Sequence, residues 1–257
     1  MKIIASAFTN PGKCREKNED NFCFGNRNVV TDKCKRPLKK SARTTSPIFM
    51  GIFDGMGGIS AGEKASLIAS NVAKEIDFSV VSTENIADTM VGICEKSNRI
   101  ICEEMKNTKK RMGTTASMLC FHDEMFTLCN IGDSPIFIYR DGILKEISHE
   151  HTEKENYIRV YGVENLPPKK KFKLTQHIGI FPEELEIEPF ISQDTLREND
   201  KFIICSDGLT DMVGKNAIMK ILKEKYSPKK TVKKLLTVAM ENGGKDNITI
   251  ICVEVRK

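Results

Sequence analysis

The chain has no tryptophan, only four tyrosines, and no apolar stretch near the ~18 residues that a membrane span requires. It also has no Cys-x-x-Cys pair. Its nine cysteines are scattered, and Cys120, Cys129, Cys205 and Cys252 sit inside apolar runs. That placement argues against a zinc or disulfide framework and reads as small buried hydrophobes in a reducing, cytoplasmic compartment. A strong charge of one sign is missing as well, since 40 basic against 35 acidic residues leave only +5. Without a basic stripe interleaved with aromatics, nucleic acid is not an expected partner, and nothing points to a membrane. The opening Met1-Lys2-Ile3-Ile4-Ala5-Ser6-Ala7-Phe8 passes from a brief apolar run straight into polar sequence. It reads as a strand, not a signal peptide.

What is present is ordinary for a globular protein: 257 residues, 40% hydrophobic and 29% charged. That length suits one fairly large domain with a sizeable core, so residues 1–257 are expected to form a single domain. Short apolar runs at 3–8, 21–24, 48–53, 115–121, 125–131, 136–139, 202–205 and 248–255 read as strands. Asp141-Gly142 signals a hairpin leading into 143–147. Helical spacing links Ala65, Ile68, Ala69, Val72, Ala73 and Ile76, then Ile86, Met90, Ile93, Cys94, Ile100 and Ile101. A third helix runs through Val232, Leu235, Leu236, Ala239 and Met240, with Ser227 as N-cap, Pro228 as first helical residue and Gly243 as stop. These stripes read as core-facing surfaces. The order of elements lacks regular strand–helix alternation, so an α+β arrangement is expected, with helices outside mainly antiparallel sheets. Two stretches read as irregular: a basic loop at 26–47, carrying Lys33, Lys35, Arg36, Lys39, Lys40 and Arg43, and a Lys- and Pro-rich excursion at 153–175.

The chemistry is signalled by acids beside glycine or asparagine at strand ends: Asp54-Gly55, Gly132-Asp133, Asp207-Gly208 and Asp246-Asn247. One such junction is an ordinary turn. Four of them on core strands can converge on one rim, where crowded carboxylates resist ionisation unless a cation neutralises them. An oxygen-only donor set with no neighbouring histidine favours magnesium or manganese over zinc. Arg15, five positions before Asp20, offers a guanidinium fork for two phosphate oxygens.

Six segments in order carry a family resemblance: Arg15-x-x-Asn18-Glu19-Asp20, Asp54-Gly55-Met56-Gly57-Gly58, Met112-Gly113-Thr114-Thr115, Gly132-Asp133-Ser134, Ser206-Asp207-Gly208-Leu209 and Asp246-Asn247. Spanning nearly the whole chain, they resemble the PPM family of metal-dependent protein serine/threonine phosphatases (protein phosphatase 2C-like), especially its compact bacterial type. The resemblance implies a four-layer α-β-β-α sandwich of two antiparallel sheets flanked by helices, with the site in a cleft at one edge. It implies two Mn2+ or Mg2+ ions per chain. Asp54 would bridge them, the Gly55 carbonyl would hold one, Asp207 and Asp246 the other, and Glu19 and Asp20 would complete the coordination directly or through water. Asp133, with Asp207, matches acids that hold a third, weaker metal in some members. A water between two cations is acidified enough to attack phosphoserine or phosphothreonine in line, with Arg15 offsetting phosphoryl charge. Expected partners are phosphorylated proteins made by a Ser/Thr kinase, in a cytoplasmic signalling role, with a monomer as default.

Several residues depart from the family pattern or imitate other motifs. Met56 stands where many eukaryotic relatives have a histidine proposed as general acid, and Pro135 where arginine is common. His149-Glu150-His151-Thr152 resembles the entrance to the family's flap, placed at 150–178, with Glu150 where aspartate is usual and His177 read as structural. Gly132-Asp133-Ser134 is similar to a lipase serine block, but Ser134 lacks the following helix. Gly243-Gly244-Lys245 lacks the hydroxyl of a P-loop, because Asp246 follows it. The alternative functions are an inactive phosphatase-like binding module and a hydrolase of a small phosphorylated metabolite. If the lysines of 33–43 guide acidic partners to the cleft, neutralising them should lower kcat/KM on phosphoproteins more than on an aryl phosphate, most at low salt. Equal effects on both substrates would remove that role.

Overall fold

The computed structural model describes residues 1–25, 36–57, 61–167 and 172–257. One sheet follows the order β3 (Leu38–Arg43), β1 (Lys2–Asn10), β12 (Ile248–Arg256), β11 (Lys201–Cys205), β8 (Ile136–Arg140), β9 (Ile143–Glu146). The other runs β10 (Phe190–Thr195), β7 (Met125–Ile131), β6 (Ala116–His122), β4 (Ile48–Gly57), β2 (Asp20–Phe24), with the short β5 (Met112–Thr114) paired to the end of β4. The neighbouring strands are antiparallel. Helices α1 (Ala61–Lys74) and α2 (Ile86–Thr108) cover the second sheet, while α4 (Asp207–Thr210), α5 (Lys215–Lys223) and α6 (Pro228–Glu241) pack on the first. The expected four-layer α-β-β-α sandwich is present.

The unbroken apolar runs follow from burial on both faces of the central strands. In β12, Ile248, Ile250 and Cys252 face α4–α6, while Ile251, Val253 and Val255 face the opposite sheet. In β4, Phe49 and Phe53 meet α1 and α2, and Met50 and Ile52 meet the first sheet. A strand that is wet on one side would alternate; these cannot. The layer between the sheets is centred on Phe202, fully buried, whose ring meets Phe121 and Phe126 edge-on at centroid distances of 5.3 and 4.9 Å. That offset geometry suits the aromatic quadrupole.

Two expectations need correction. Residues 38–43 of the supposed 26–47 loop form edge strand β3, paired to β1 with Lys2 opposite Arg43. Only Leu38 and Ala42 of this strand reach the core, so its alternation was too thin to read, and its lysines are typical of an edge that resists further pairing. The part of that loop at 26–35 lies outside the described residues, as does 168–171 of the second excursion. That second excursion is not wholly irregular either, because it contains α3 (Lys154–Tyr161). Strand β10 and helix α5 were not anticipated. Ser227 has the extended backbone of an N-cap (φ −65°, ψ 154°) with Pro228 following it, but its hydroxyl makes no capping bond. The helix it begins ends before Gly243, whose φ of +125° suits glycine.

Replacing Phe202 by alanine should cost about 3–5 kcal/mol of folding stability, the range for emptying a buried aromatic site. Ile143→Ala, at a side chain that is 67% exposed, should change stability by less than about 0.5 kcal/mol. Urea unfolding of both variants checks the contrast.

Candidate active site

The site forms where the two sheets meet. Pairing of β2 with β4 sets Asp20 opposite Asp54 in one sheet. From the other sheet, β11 runs through Ser206 into Asp207 at the start of α4, and Asp246-Asn247 leads into β12. Asp20 is buried, and its Oδ2 accepts hydrogen bonds from Ser206 Oγ (2.8 Å) and Thr249 Oγ1 (2.7 Å). Thr249 Oγ1 lies 2.6 Å from Thr9 Oγ1, which in turn accepts from Asn18 Nδ2 at 2.8 Å. Since Thr249 donates to Asp20, this chain of donors runs Asn18, Thr9, Thr249, Asp20.

Asn247 organises the 11–19 loop. Its Nδ2 donates to the carbonyls of Pro11 (3.0 Å) and Lys17 (2.9 Å), and its Oδ1 accepts the Glu19 amide at 2.8 Å. Gly55 is required by a close approach: a Cβ there would lie 2.2 Å from the Gly62 carbonyl oxygen and 2.5 Å from that of Glu19. The backbone of Asp54 is held in turn by β5 and its successor. Thr114 Oγ1 and the Thr115 amide both donate to the Asp54 carbonyl at 2.9 Å, while the Asp54 amide donates to Thr115 Oγ1 at 3.1 Å.

A cleft of about 290 Å³ opens over this framework, lined by Arg15, Glu19, Asp54, Gly55, Asp133, Asp207 and Asp246 among others. The structure therefore brings together all but one of the expected site residues. The exception is Asp20, which lies beneath the cleft and is occupied by the two hydroxyls. Asp133 and Asp207 also border a neighbouring groove of about 330 Å³, where Pro135 and Phe137 contribute apolar surface. Arg15 Nη2 donates to Asp246 Oδ2 at 2.7 Å. This ion pair raises the arginine's pKa, so the guanidinium stays charged.

The electrostatics are those of crowded acids. Burial pushes Asp54 well above the usual carboxylate range, and the charges of Asp20, Asp207, Asp133 and Asp246 push it further. Asp20 is raised to about 7, because burial outweighs its hydroxyl donors, with Asp207 and Asp246 adding to the rise. Glu19 is raised chiefly by burial, against the opposing pull of Arg15.

This donor set fits a hard dication. It offers carboxylates and the Gly55 carbonyl, and no thiol or imidazole is among the described residues lining the cleft. No group of three or more His, Cys, Asp or Glu among the described residues forms a ready-made metal cage.

The look-alike motifs resolve as structural. Ser134 is buried, its Oγ 2.8 Å from Thr115 Oγ1 and its carbonyl accepting from Ser117 Oγ. His177 packs against Gly113, with Nδ1 3.1 Å from the Ile178 carbonyl. The His149 and His151 rings stand edge to face at 4.8 Å, and the His151 amide donates to the Gly132 carbonyl, fastening this turn beside Asp133. The sequence reading missed the supporting roles of Ser206, Thr249 and Asn247. A hydroxyl inside the apolar run Ile248-Thr249-Ile250-Ile251 was the available clue, since a buried polar group needs a partner.

A four-layer sandwich with an acid-lined cleft at the sheet junction and a guanidinium at its edge suits a metal-assisted hydrolase acting on an anion. Comparison with known proteins sharpens this. The model of the protein phosphatase 2C family matches residues 32–240. A serine/threonine phosphatase of Listeria innocua, stp, is 26% identical over 255 residues, covering 96% of this chain and 93% of its own length. The solved serine/threonine phosphatase of S. agalactiae superposes with a TM-score of 0.82 at 25% identity, covering 99% of this chain and 100% of that one. The catalytic domain of PstP, solved in complex with two manganese ions, has the same fold, with a TM-score of 0.81, 23% identity and full coverage of both chains. The chain belongs to the protein phosphatase 2C family.

The raised carboxyl pKa values give a signed pH effect. Folded Asp20 and Asp54 hold protons that the unfolded chain releases near the usual carboxylate pKa of about 4. Stability from this source is fully present below that value and is lost as pH rises through about 7, the folded value of Asp20. Thermal melts of chelator-treated protein should therefore show Tm falling from about pH 5 to pH 8, with saturating Mn2+ removing most of the slope. A flat or rising Tm without metal would contradict the assignment.

Proposed function

We propose that this chain is a metal-dependent protein phosphatase that hydrolyses phosphoserine and phosphothreonine esters. The observation that carries the reading is the meeting of Glu19, Asp54, Gly55, Asp207 and Asp246 around one cleft with Arg15 at its edge. Asp54 and the Gly55 carbonyl are the proposed central ligands of two Mn2+ or Mg2+ ions, with Asp207, Asp246 and Glu19 completing the set and Asp20 supporting it from below. When bound, such ions supply Lewis-acid charge and activate water. Asp133 and Asp207, at the boundary with the second groove, are the proposed holders of a third ion.

The chain's own residues do the rest. Arg15 is the basic side chain among the described residues lining the cleft, and it would turn from Asp246 to two phosphoryl oxygens of the ester. Asn247 keeps that arginine's loop in place through its bonds to Pro11, Lys17 and Glu19. Met56 lines the cleft where a side-chain acid could have stood, so protonation of the leaving alkoxide falls to solvent. The proposed mechanism uses no cysteine nucleophile; among the described residues Cys14 is the exposed thiol, and no cysteine is among those that line the cleft.

An inactive binding module is not favoured, because the acids proposed as ligands are all present and line one cleft. A small-metabolite hydrolase could share the site, but the similar proteins are named for serine/threonine phosphatase activity. Phosphorylated proteins, the products of a Ser/Thr kinase, are the proposed substrates, with a cytoplasmic monomer acting in signalling. No helix among the described residues is long and apolar enough to cross a membrane.

Hydrolysis of a phosphopeptide and an aryl phosphate should require Mn2+ or Mg2+ and stop with chelator. Asp207→Asn should lower kcat/KM by at least about 100-fold, the scale of losing a charge-stabilising group. Metal-independent turnover, or a fully active Asp207→Asn, would overturn the assignment.

A further inference from the structure

We infer that Asn98, on the outer helix α2, is a positioning residue that sets the geometry of Asp54 and thereby the affinity for the catalytic metal. This rests on the metal-site reading above. Asparagine is a poor choice for a helix interior, and an amide buried among Ile93, Cys94 and Ile101 must have its polar atoms satisfied. Asn98 meets that demand outside its own helix. Its Oδ1 accepts the amides of Gly179 (2.6 Å) and Ile180 (3.0 Å), and its Nδ2 donates to the Ile180 carbonyl at 3.0 Å. One turn on, Cys102 Sγ donates to the same carbonyl at 3.3 Å.

The segment so held is the one that braces β5. Ile178 and Thr114 exchange two backbone hydrogen bonds of 2.9 Å each. Gly179 permits the approach, since its φ is +107° and a Cβ there would lie 2.5 Å from the Met112 carbonyl oxygen. Thr114 then donates its hydroxyl to the Asp54 carbonyl at 2.9 Å and pairs with Gly55 across β4 and β5. The path from Asn98 to the backbone of Asp54 thus runs through directional hydrogen bonds at each step. Apolar packing tolerates sliding, whereas three bonds from one planar amide fix both the height and the tilt of 178–180. Residues that orient metal ligands at one remove commonly change metal affinity when lost.

The test is calorimetric titration of metal-stripped protein with Mn2+, alongside turnover at limiting and saturating Mn2+. Asn98→Ala should weaken Mn2+ binding by about tenfold and lose activity at limiting metal, with most of it recovered at saturation. Leu235→Ala, a fully buried site in α6 on the far layer, should lose stability while keeping wild-type Mn2+ affinity. Ser97→Ala removes the neighbouring hydroxyl, which is buried without a hydrogen-bond partner among the described residues, and should leave affinity unchanged. Wild-type affinity in Asn98→Ala, or equal weakening in Leu235→Ala, would overturn the inference. If Asn98→Ala does not fold, Thr114→Val interrupts the same path at its last step and must weaken Mn2+ binding, or the inference fails. A wild-type protein that binds no Mn2+ would remove the metal reading itself, and this inference with it.

Discussion

The structure depends on one buried carboxylate that ties its two sheets together. Asp20 belongs to the sheet of β2 and β4, yet the hydroxyls that satisfy its Oδ2 come from Ser206 and Thr249 of the opposite sheet. The layer between the sheets is otherwise apolar contact, and at a far edge Arg140 of β8 reaches Asp194 and the Thr195 carbonyl of β10. At the Asp20 edge they are joined by hydrogen bonds to a buried carboxyl group, which have direction. The ends of β2, β4, β11 and β12 are thereby aligned, and with them the acids those ends carry.

That alignment creates the electrostatic problem that the function resolves. Asp54, Asp207, Asp246 and Glu19 border one cleft, and both Asp54 and Asp20 are pushed toward protonation by burial and by the acids around them. A hard dication removes the conflict, because it replaces repulsion among carboxylates with attraction to a shared charge. Arg15, paired with Asp246, offsets one of these charges in its absence. The backbone around the site is held closely in consequence: Gly55 sits against Gly62 and Glu19, and the Asp54 carbonyl is clasped by Thr114 and Thr115.

The departures from the family pattern acquire places in this framework. Pro135, standing where arginine is common, gives its carbonyl to the Cys205 amide and its ring to the neighbouring groove. It extends the first sheet, and the cations among the described residues lining that groove are Lys154 and Lys215. Met56 lines the cleft as a neutral thioether with no proton to give.

By itself the sequence determined the central strands, the main helices and the identities of the site's acids. Apolar runs such as 248–255 can only be strands buried on both faces, and Asp-Gly or Asp-Asn junctions at their ends mark where backbone must turn. Strand β3 and helix α3 escaped because each buries too little apolar surface to impose a period on its composition; neighbouring chain supplies what stabilises them. The tertiary structure alone decided that Asp20 lies beneath the cleft while Glu19 lines it, although the two are adjacent in sequence. Strand β2 begins at Asp20, which pairs with Asp54 and is taken up by hydroxyls of the other sheet, whereas Glu19 precedes the strand in a loop held by Asn247. The tertiary structure likewise decided that Asn98, 44 positions from Asp54, belongs to the same hydrogen-bonded unit. No local pattern records such a contact, because hydrogen bonds between distant segments exist only once packing has brought the two together.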